Sequence, residues 1–262
     1  MAIRTQLAKL SYVLTKSVKH PRRSFSDLWV AHLARDRGHA QLPVWLFGQL
    51  PRLPLNQALP GSEELEVRLP RALDRLFGTS ITPDEACCLC AIERHLKARN
   101  VLEIGTFDGN TTLALAANVD DGGTVTTVDL PRDFDLTRDR ELLAHEHARV
   151  NLTPRDRLGR QFETHPLAAR IRQVFGDSAA LDWGTLGGPF DLIFIDGAHS
   201  AAYVESDTAN ALEHLRTPGA IVWHDYGLYE DVSAVVDRLT VEGRELRLFA
   251  IERTRLAVGY RA

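Results

Sequence analysis

Two groups of residues in this chain have the types and spacing to do chemistry on a small ligand. The first is Glu103-Ile-Gly105-Thr106-Phe-Asp108-Gly109, where a run suited to a buried strand (Val101 to Ile104) breaks into glycines and turns helix-forming from Thr111. A strand that feeds a helix through glycine brings backbone close to a ligand and aims unpaired helix N–H groups at it. Gly105 and Gly109 stand four apart, whereas a dinucleotide fingerprint needs glycines at its first, third and sixth positions and a phosphate loop needs Gly-Lys-Ser/Thr. The second group is Asp196-Gly-Ala-His199 with His224-Asp225, and each part follows an apolar run. Acids and histidines gathered at the ends of neighbouring strands give two routes for activating a hydroxyl. One is a general base, for which His199 is the first candidate and His224 the second; the other is a divalent cation. Magnesium suits the oxygens of Asp196 and Asp225, while an imidazole at His224 favours softer metals.

The elements that must position these residues follow from Val101 onward as a regular alternation. Strands are expected at 101–105, 124–129, 171–175, 190–196 and 219–224, with helices near 110–118, 178–184, 200–215 and 230–240. Such alternation predicts a parallel sheet covered on both faces. Two closing runs, 245–251 and 255–260, are joined by only Glu252-Arg-Thr254, which predicts an antiparallel hairpin. Thr82-Pro-Asp-Glu85 has the form of a capping box and starts a helix with Leu89, Ile92 and Leu96 on its buried stripe. Ligands of open parallel sheets bind beyond the carboxyl ends of the strands, where strand order reverses. That gives weight to Glu103, to Asp129, whose carboxylate suits two ribose hydroxyls, and to Asp177-Ser178 after the third strand.

Glu-Ile-Gly-x-x-x-Gly, the acid Asp129, Phe190-Asp-Leu-Ile-Phe-Ile-Asp-Gly-Ala-His199 and Ile221-Val-Trp-His-Asp-Tyr226 together resemble class I S-adenosylmethionine-dependent methyltransferases. The branch resembled holds the catechol-type and the sugar and macrolide O-methyltransferases, and the resemblance covers roughly the last two-thirds of the chain. It implies a Rossmann-like, seven-stranded, mostly parallel sheet with helices on both faces and a reversed last strand. It also implies S-adenosylmethionine held by Glu103, Gly105, Thr106, Asp108, Gly109, Asp129, Asp177, Ser178 and Asp196. Glu103 would brace the amino-acid end of the cofactor or else hold the glycine loop; Asp177 would face the adenine or cap the following helix. A magnesium or other divalent ion would sit at Asp196, Asp225 and His224, and His199 would be the base where catechol-type enzymes carry lysine and sugar-modifying ones histidine. The catechol-type Asp-Asn pair maps onto Asp225-Tyr226, and tyrosine is a poor magnesium ligand; the two acids of the sugar-modifying enzymes map onto His224-Asp225. The implied reaction is O-methylation of a small-molecule hydroxyl, on a sugar or natural product. Rival readings are an NAD-dependent oxidoreductase, a nitrogen methyltransferase without a metal, and a non-catalytic cofactor-binding module attached to a membrane or partner.

At 262 residues and a formal charge of −4, the chain holds one sizeable core plus an extension, and nothing global calls for nucleic acid. The expected division is a methyltransferase domain at 81–262 behind a helical extension and proline-rich arm at 1–80. Residues 1–23 are basic and amphipathic, suited to docking on the chain's own domain, to a partner subunit in a homo-oligomer, or to an anionic membrane surface. The arm at 40–80 reads as a connector wrapped on the core or across a dimer interface. The connection 131–170, with a helix expected through 138–150, is long enough for an acceptor-side lid. His145 and His147 point in different directions on such a helix and read as part of a solvated face. Cys87, Cys88 and Cys90 are too close together for a disulfide framework and fit a reducing compartment. With no apolar run of membrane-spanning length and no signal-peptide core, the expectation is a cytoplasmic protein acting on a small-molecule acceptor.

Overall fold

The computed structural model describes residues 47–71, 81–131, 133–134, 157–240 and 246–262. The expected helices at 1–23 and 138–150, His145, His147 and most of the expected lid lie outside the described residues.

One mixed sheet carries the fold. Its strands are β1 (Arg52–Leu53), β2 (Asn100–Ile104), β3 (Thr124–Asp129), β4 (Ile171–Phe175), β5 (Phe190–Ile195), β6 (Leu215–Trp223), β7 (Arg247–Ile251) and β8 (Ala257–Arg261). They lie in the order β1-β7-β8-β6-β5-β2-β3-β4, and every neighbouring pair is parallel except the two that β8 makes. The sheet therefore has eight strands where seven were expected. The extra one is Arg52-Leu53, which pairs with Ala250-Ile251 at the edge. Prolines on both sides, Pro51 and Pro54, conceal it in the sequence, yet an edge strand tolerates proline because one side needs no ladder.

Helices cover both faces. On one side α2 (Pro83–Leu96) and α3 (Asn110–Asn118), preceded in the chain by the single turn α1 (Leu55–Ala58), pack over Val101, Leu192, Phe194 and Val222. On the other, α4 (Ala201–His214) and α5 (Glu230–Arg238) pack over Ile193, Ile195, Ile221 and Trp223. Neighbouring residues of β5 thus serve opposite cores, as the two-residue period of a strand requires, and all six are buried. Inside that apolar strand Asp191 accepts hydrogen bonds from the backbone N–H groups of Arg99 and Asn100 and from Arg216, so its carboxylate knits β5 to the start of β2.

The capping box at α2 forms as expected. Thr82 Oγ1 accepts from the Glu85 N–H at 3.2 Å, and the Thr82 N–H donates to Glu85 Oε2 at 2.8 Å. The helix expected at 178–184 does not form. Asp182 accepts instead from the Gly184 N–H and opens a 3₁₀ turn, Trp183–Leu186, which ends at Gly187 in a left-handed conformation. β6 begins four residues earlier than expected. Among the described residues no helix is long and apolar enough to cross a membrane.

Candidate active site

Strand order reverses between β2 and β5, so the loops after these two strands border the crevice that parallel sheets offer to ligands. They are packed without slack. The Asp196 N–H donates to the Ile104 carbonyl at 2.8 Å, and Gly105 adopts φ +102° with no room for a side chain. A Cβ there would lie 2.2 Å from the Asp196 carbonyl oxygen. Gly109, at φ +86°, caps α3 without a side chain, so the first turn of that helix presents backbone N–H groups to the loop. Residues late in the long connection close over this loop, with the Gly159 and Gln161 N–H groups donating to the carbonyls of Phe107 and Asp108.

The acids expected around a cofactor fall into two kinds. Asp129, half-buried at the end of β3, accepts from the Phe107 N–H through Oδ2 and from the Leu130 N–H through Oδ1, so it fixes the glycine loop against β3. Asp108 accepts from the Asn110 N–H, and Asp177 from the Ala179 N–H and the Tyr203 hydroxyl. Ser178 contributes its carbonyl to the Trp183 indole. Glu103 is of the second kind, fully buried beneath the loop. Its Oε2 accepts from the hydroxyls of Thr112 at 2.5 Å and Thr127 at 2.6 Å, and Thr106 shares a hydrogen bond with Thr127. Burial pushes its carboxyl up to about 8, outweighing the two hydroxyls. Glu103 Oε1 has no hydrogen-bond partner among the described residues. A buried acid therefore lies beneath the backbone-lined turn that Asp129 fixes against β3.

The second expected group does assemble. His199 Nε2 lies 3.0 Å from Asp225 Oδ2, and the His199 ring stands against Tyr229 with centroids 4.5 Å apart. His224 Nδ1 lies 2.9 Å from Asp196 Oδ1, and its Nε2 lies 3.4 Å from Glu85 Oε2. Burial works against charge on His224, but Asp196 and Asp225 push its pKa up to about 10. Both nitrogens of His224 thus face carboxylates, Nδ1 that of Asp196 and Nε2 that of Glu85. Burial also opposes charge on Asp225, yet His224, Arg255 and His199 hold it well below the usual carboxylate range. Asp225 itself sits at φ +57°, a left-handed turn that swings its side chain back over the strand ends.

Two participants were not anticipated from the sequence. Arg255 donates through Nη1 to Asp225 Oδ1 at 2.7 Å and clasps both oxygens of Glu85 through Nε and Nη2 at 3.0 Å each. Glu85, already committed to the capping box, also accepts from the Arg255 N–H. The strand register places Arg255 here. In the antiparallel pairing of β6 with β8, Trp223 faces Ala257, so the residue facing position 225 is 255. Tyr226, in contrast, turns away from the acids. Its hydroxyl donates to Asp237 and accepts from the Leu50 N–H.

Asp196, His199 and Asp225 each bring one ligand atom within 4.8 Å of the others, a spacing that admits an ion. Asp225 is, however, already engaged by the Arg255 guanidinium at 2.7 Å, and Asp196 lies against the His224 ring. The charges present do not fit a divalent ion as well as the distances do.

Residues 102–226 match the family described as a methyltransferase domain. The catechol O-methyltransferase of Mycobacterium tuberculosis is 31% identical over 154 residues, which is 58% of this chain. The match spans little more than half of that relative, 56% of its length. An O-methyltransferase from Bacillus cereus, solved in complex with SAH, aligns with a TM-score of 0.48 at 18% identity, covering 79% of this chain and 90% of its own. An O-methyltransferase of tomaymycin synthesis from Streptomyces achromogenes, solved with SAM, aligns with the same TM-score and identity over 79% of this chain and 89% of its own.

Proposed function

We propose that this chain transfers a methyl group from S-adenosylmethionine to a hydroxyl oxygen of a small molecule, with His199 as the general base. The observation that carries the reading is the His199–Asp225 contact at 3.0 Å, formed at the strand ends beside the glycine turn. The bound cofactor would supply a methyl group already activated by its sulfonium, so the chain has only to hold it, align the acceptor and remove a proton. Gly105, Gly109, Asp108 and Asp129 would form the walls of the cofactor crevice, with Glu103 beneath and Asp177 and Ser178 at the far loop.

A hydroxyl is a weak nucleophile until its proton leaves, and that demand separates oxygen from nitrogen acceptors. The Asp225 carboxylate, 3.0 Å from His199 Nε2, would stabilise the imidazolium formed when the proton arrives. The Tyr229 ring lies against the imidazole, tilted by 42°, and restricts its rotation. The catechol relative is named for a hydroxyl-bearing acceptor; for this chain we assign the broader class of small-molecule hydroxyls, including those of sugars and natural products. The direct test is calorimetric titration with S-adenosylhomocysteine, followed by an acceptor screen. Wild type and His199→Ala should bind S-adenosylhomocysteine equally, and His199→Ala should slow transfer by ~10²–10⁴-fold. Absence of S-adenosylhomocysteine binding by wild type would remove the reading.

A further inference from the structure

One buried acid takes no part in the site described above. Asp207 lies on the inward face of α4 with Val204 and Ala211, which belong to the core beneath that helix. It is 0% exposed, and neither carboxyl oxygen has a hydrogen-bond partner among the described residues. A carboxyl held in an apolar stripe without a donor destabilises the fold, and an apolar residue would serve that stripe better. Stability therefore does not account for an acid at this position.

Its surroundings point to the crevice. Asp207 Oδ2 would lie 4.0 Å from a Cβ at Gly197, in the loop after β5. Burial pushes the Asp207 carboxyl up to about 7, the Ser178 side chain draws it back down, and Asp177 adds to the rise. Both residues of the turn after β4 are thus within its reach. That turn is fixed from behind. The Trp183 indole donates to the Ser178 carbonyl at 3.0 Å. Each oxygen of Asp177 already accepts a hydrogen bond, one from the Ala179 N–H and one from the Tyr203 hydroxyl. Ser178 is half-buried, so its hydroxyl can face Asp207 on one side and the crevice on the other.

We infer that Asp207 is a positioning residue that accepts the hydrogen bond of the Ser178 hydroxyl, and that the acceptor face this leaves on Ser178 reads the amino group of the cofactor's purine. The inference rests on the methyltransferase reading above and deepens it. On that reading the ribose lies at Asp129 on β3, and the turn after β4, next in the sheet, borders the attached base. A hydroxyl has one proton and two lone pairs. Once the proton is committed to Asp207, only lone pairs face the crevice. An amino group donates to them, whereas a purine with an oxo group in that place presents lone pairs of its own and is turned away. Asp207 itself, fully buried, touches no part of the cofactor.

The test is the preference between two ligands. Full-length protein at pH 8, above the Asp207 pKa, is titrated calorimetrically with S-adenosylhomocysteine and with S-inosylhomocysteine, which carries an oxo group in place of the amino group. Wild type should favour the adenosyl compound by about tenfold or more. In Asp207→Asn the new amide can donate to Ser178 and free the hydroxyl proton to face the crevice, so the preference should shrink to about threefold or less. Asp207→Leu, which suits the apolar stripe, should do the same and keeps the position testable if the amide does not fold. Ser178→Ala, which adds no buried polar group, should shrink the preference equally. A purely structural Asp207 would change stability and leave the ratio of the two affinities where it was. An unchanged ratio in any folded variant overturns the inference, as does a wild type that binds both compounds alike, while the methyltransferase reading stands. A wild type that binds neither compound removes that reading and this inference with it.

Discussion

Glu103 shows how a single side chain beneath the glycine turn links stability to pH. Folding lifts its pKa from 4.5 to about 8, so the folded protein keeps a proton that the unfolded chain releases. Stability from this group is therefore full below pH 4.5 and falls as pH rises towards 8, with a slope of up to ~1.4 kcal/mol per pH unit. Asp207, pushed up to about 7 by burial, adds a weaker decline of the same sign between 3.8 and 7. Glu103→Gln keeps an acceptor for Thr112 and Thr127 and has no proton to lose. Urea midpoints measured across pH 5–8 should fall less steeply in this variant than in wild type, with the Asp207 part remaining. Gly105 gives a second prediction at this scale. Its left-handed φ and the 2.2 Å approach to Asp196 mean that Gly105→Ala should lower unfolding stability by about 2 kcal/mol or more, read from the same midpoints. Glycine spacing and the motif acids were readable from the chain because each is local to one strand end. Glu85 and Arg255 were not, since they meet across 170 residues and neither belongs to a motif. Their meeting depends on the register of β8, which hydrophobic pattern alone does not supply.

Between single residues and the whole fold lie the contacts that tie elements together, and the clearest joins β1 to α5. Asp237 accepts from the Gln49 N–H with both carboxylate oxygens and from the Tyr226 hydroxyl, which in turn accepts from the Leu50 N–H. Arg52 lies over the Tyr226 ring, 5.6 Å from its centroid. The short strand is thus held at its start as well as by its pairing with β7. Tyr226→Phe would leave the Leu50 N–H unpaired, at a cost of about 1–3 kcal/mol. Amide hydrogen exchange should accelerate at Leu50 and its neighbours, while the amides of β5 stay protected. At this scale the alternation of strands and helices was legible for long periodic segments such as α4 and β5. It failed at 178–184, where Asp182 and two glycines favour a tight turn over helix, and at Arg52-Leu53, where two residues carry no period at all.

Taken as a whole, the described fold joins far-separated parts of the sequence at one edge of the crevice. β2 and β5 carry the glycine turn and Asp196, β6 carries His224 and Asp225, and the turn before β8 carries Arg255. Parallel strands need long crossovers, so such sites are built from distant segments as a matter of topology. The position of β8 has a consequence for how the molecule comes together. It follows β7 in the chain yet lies inside it in the sheet, between β6 and β7. During synthesis β7 can find no place in the sheet before β8 has emerged, and β1, which among the described residues pairs only with β7, must wait as well. Glu85, made some 170 residues before its guanidinium partner, spends that interval without its cation. That edge of the sheet is therefore the last to close, and a nascent chain halted before Arg255 would display an unfilled slot flanked by two waiting strands.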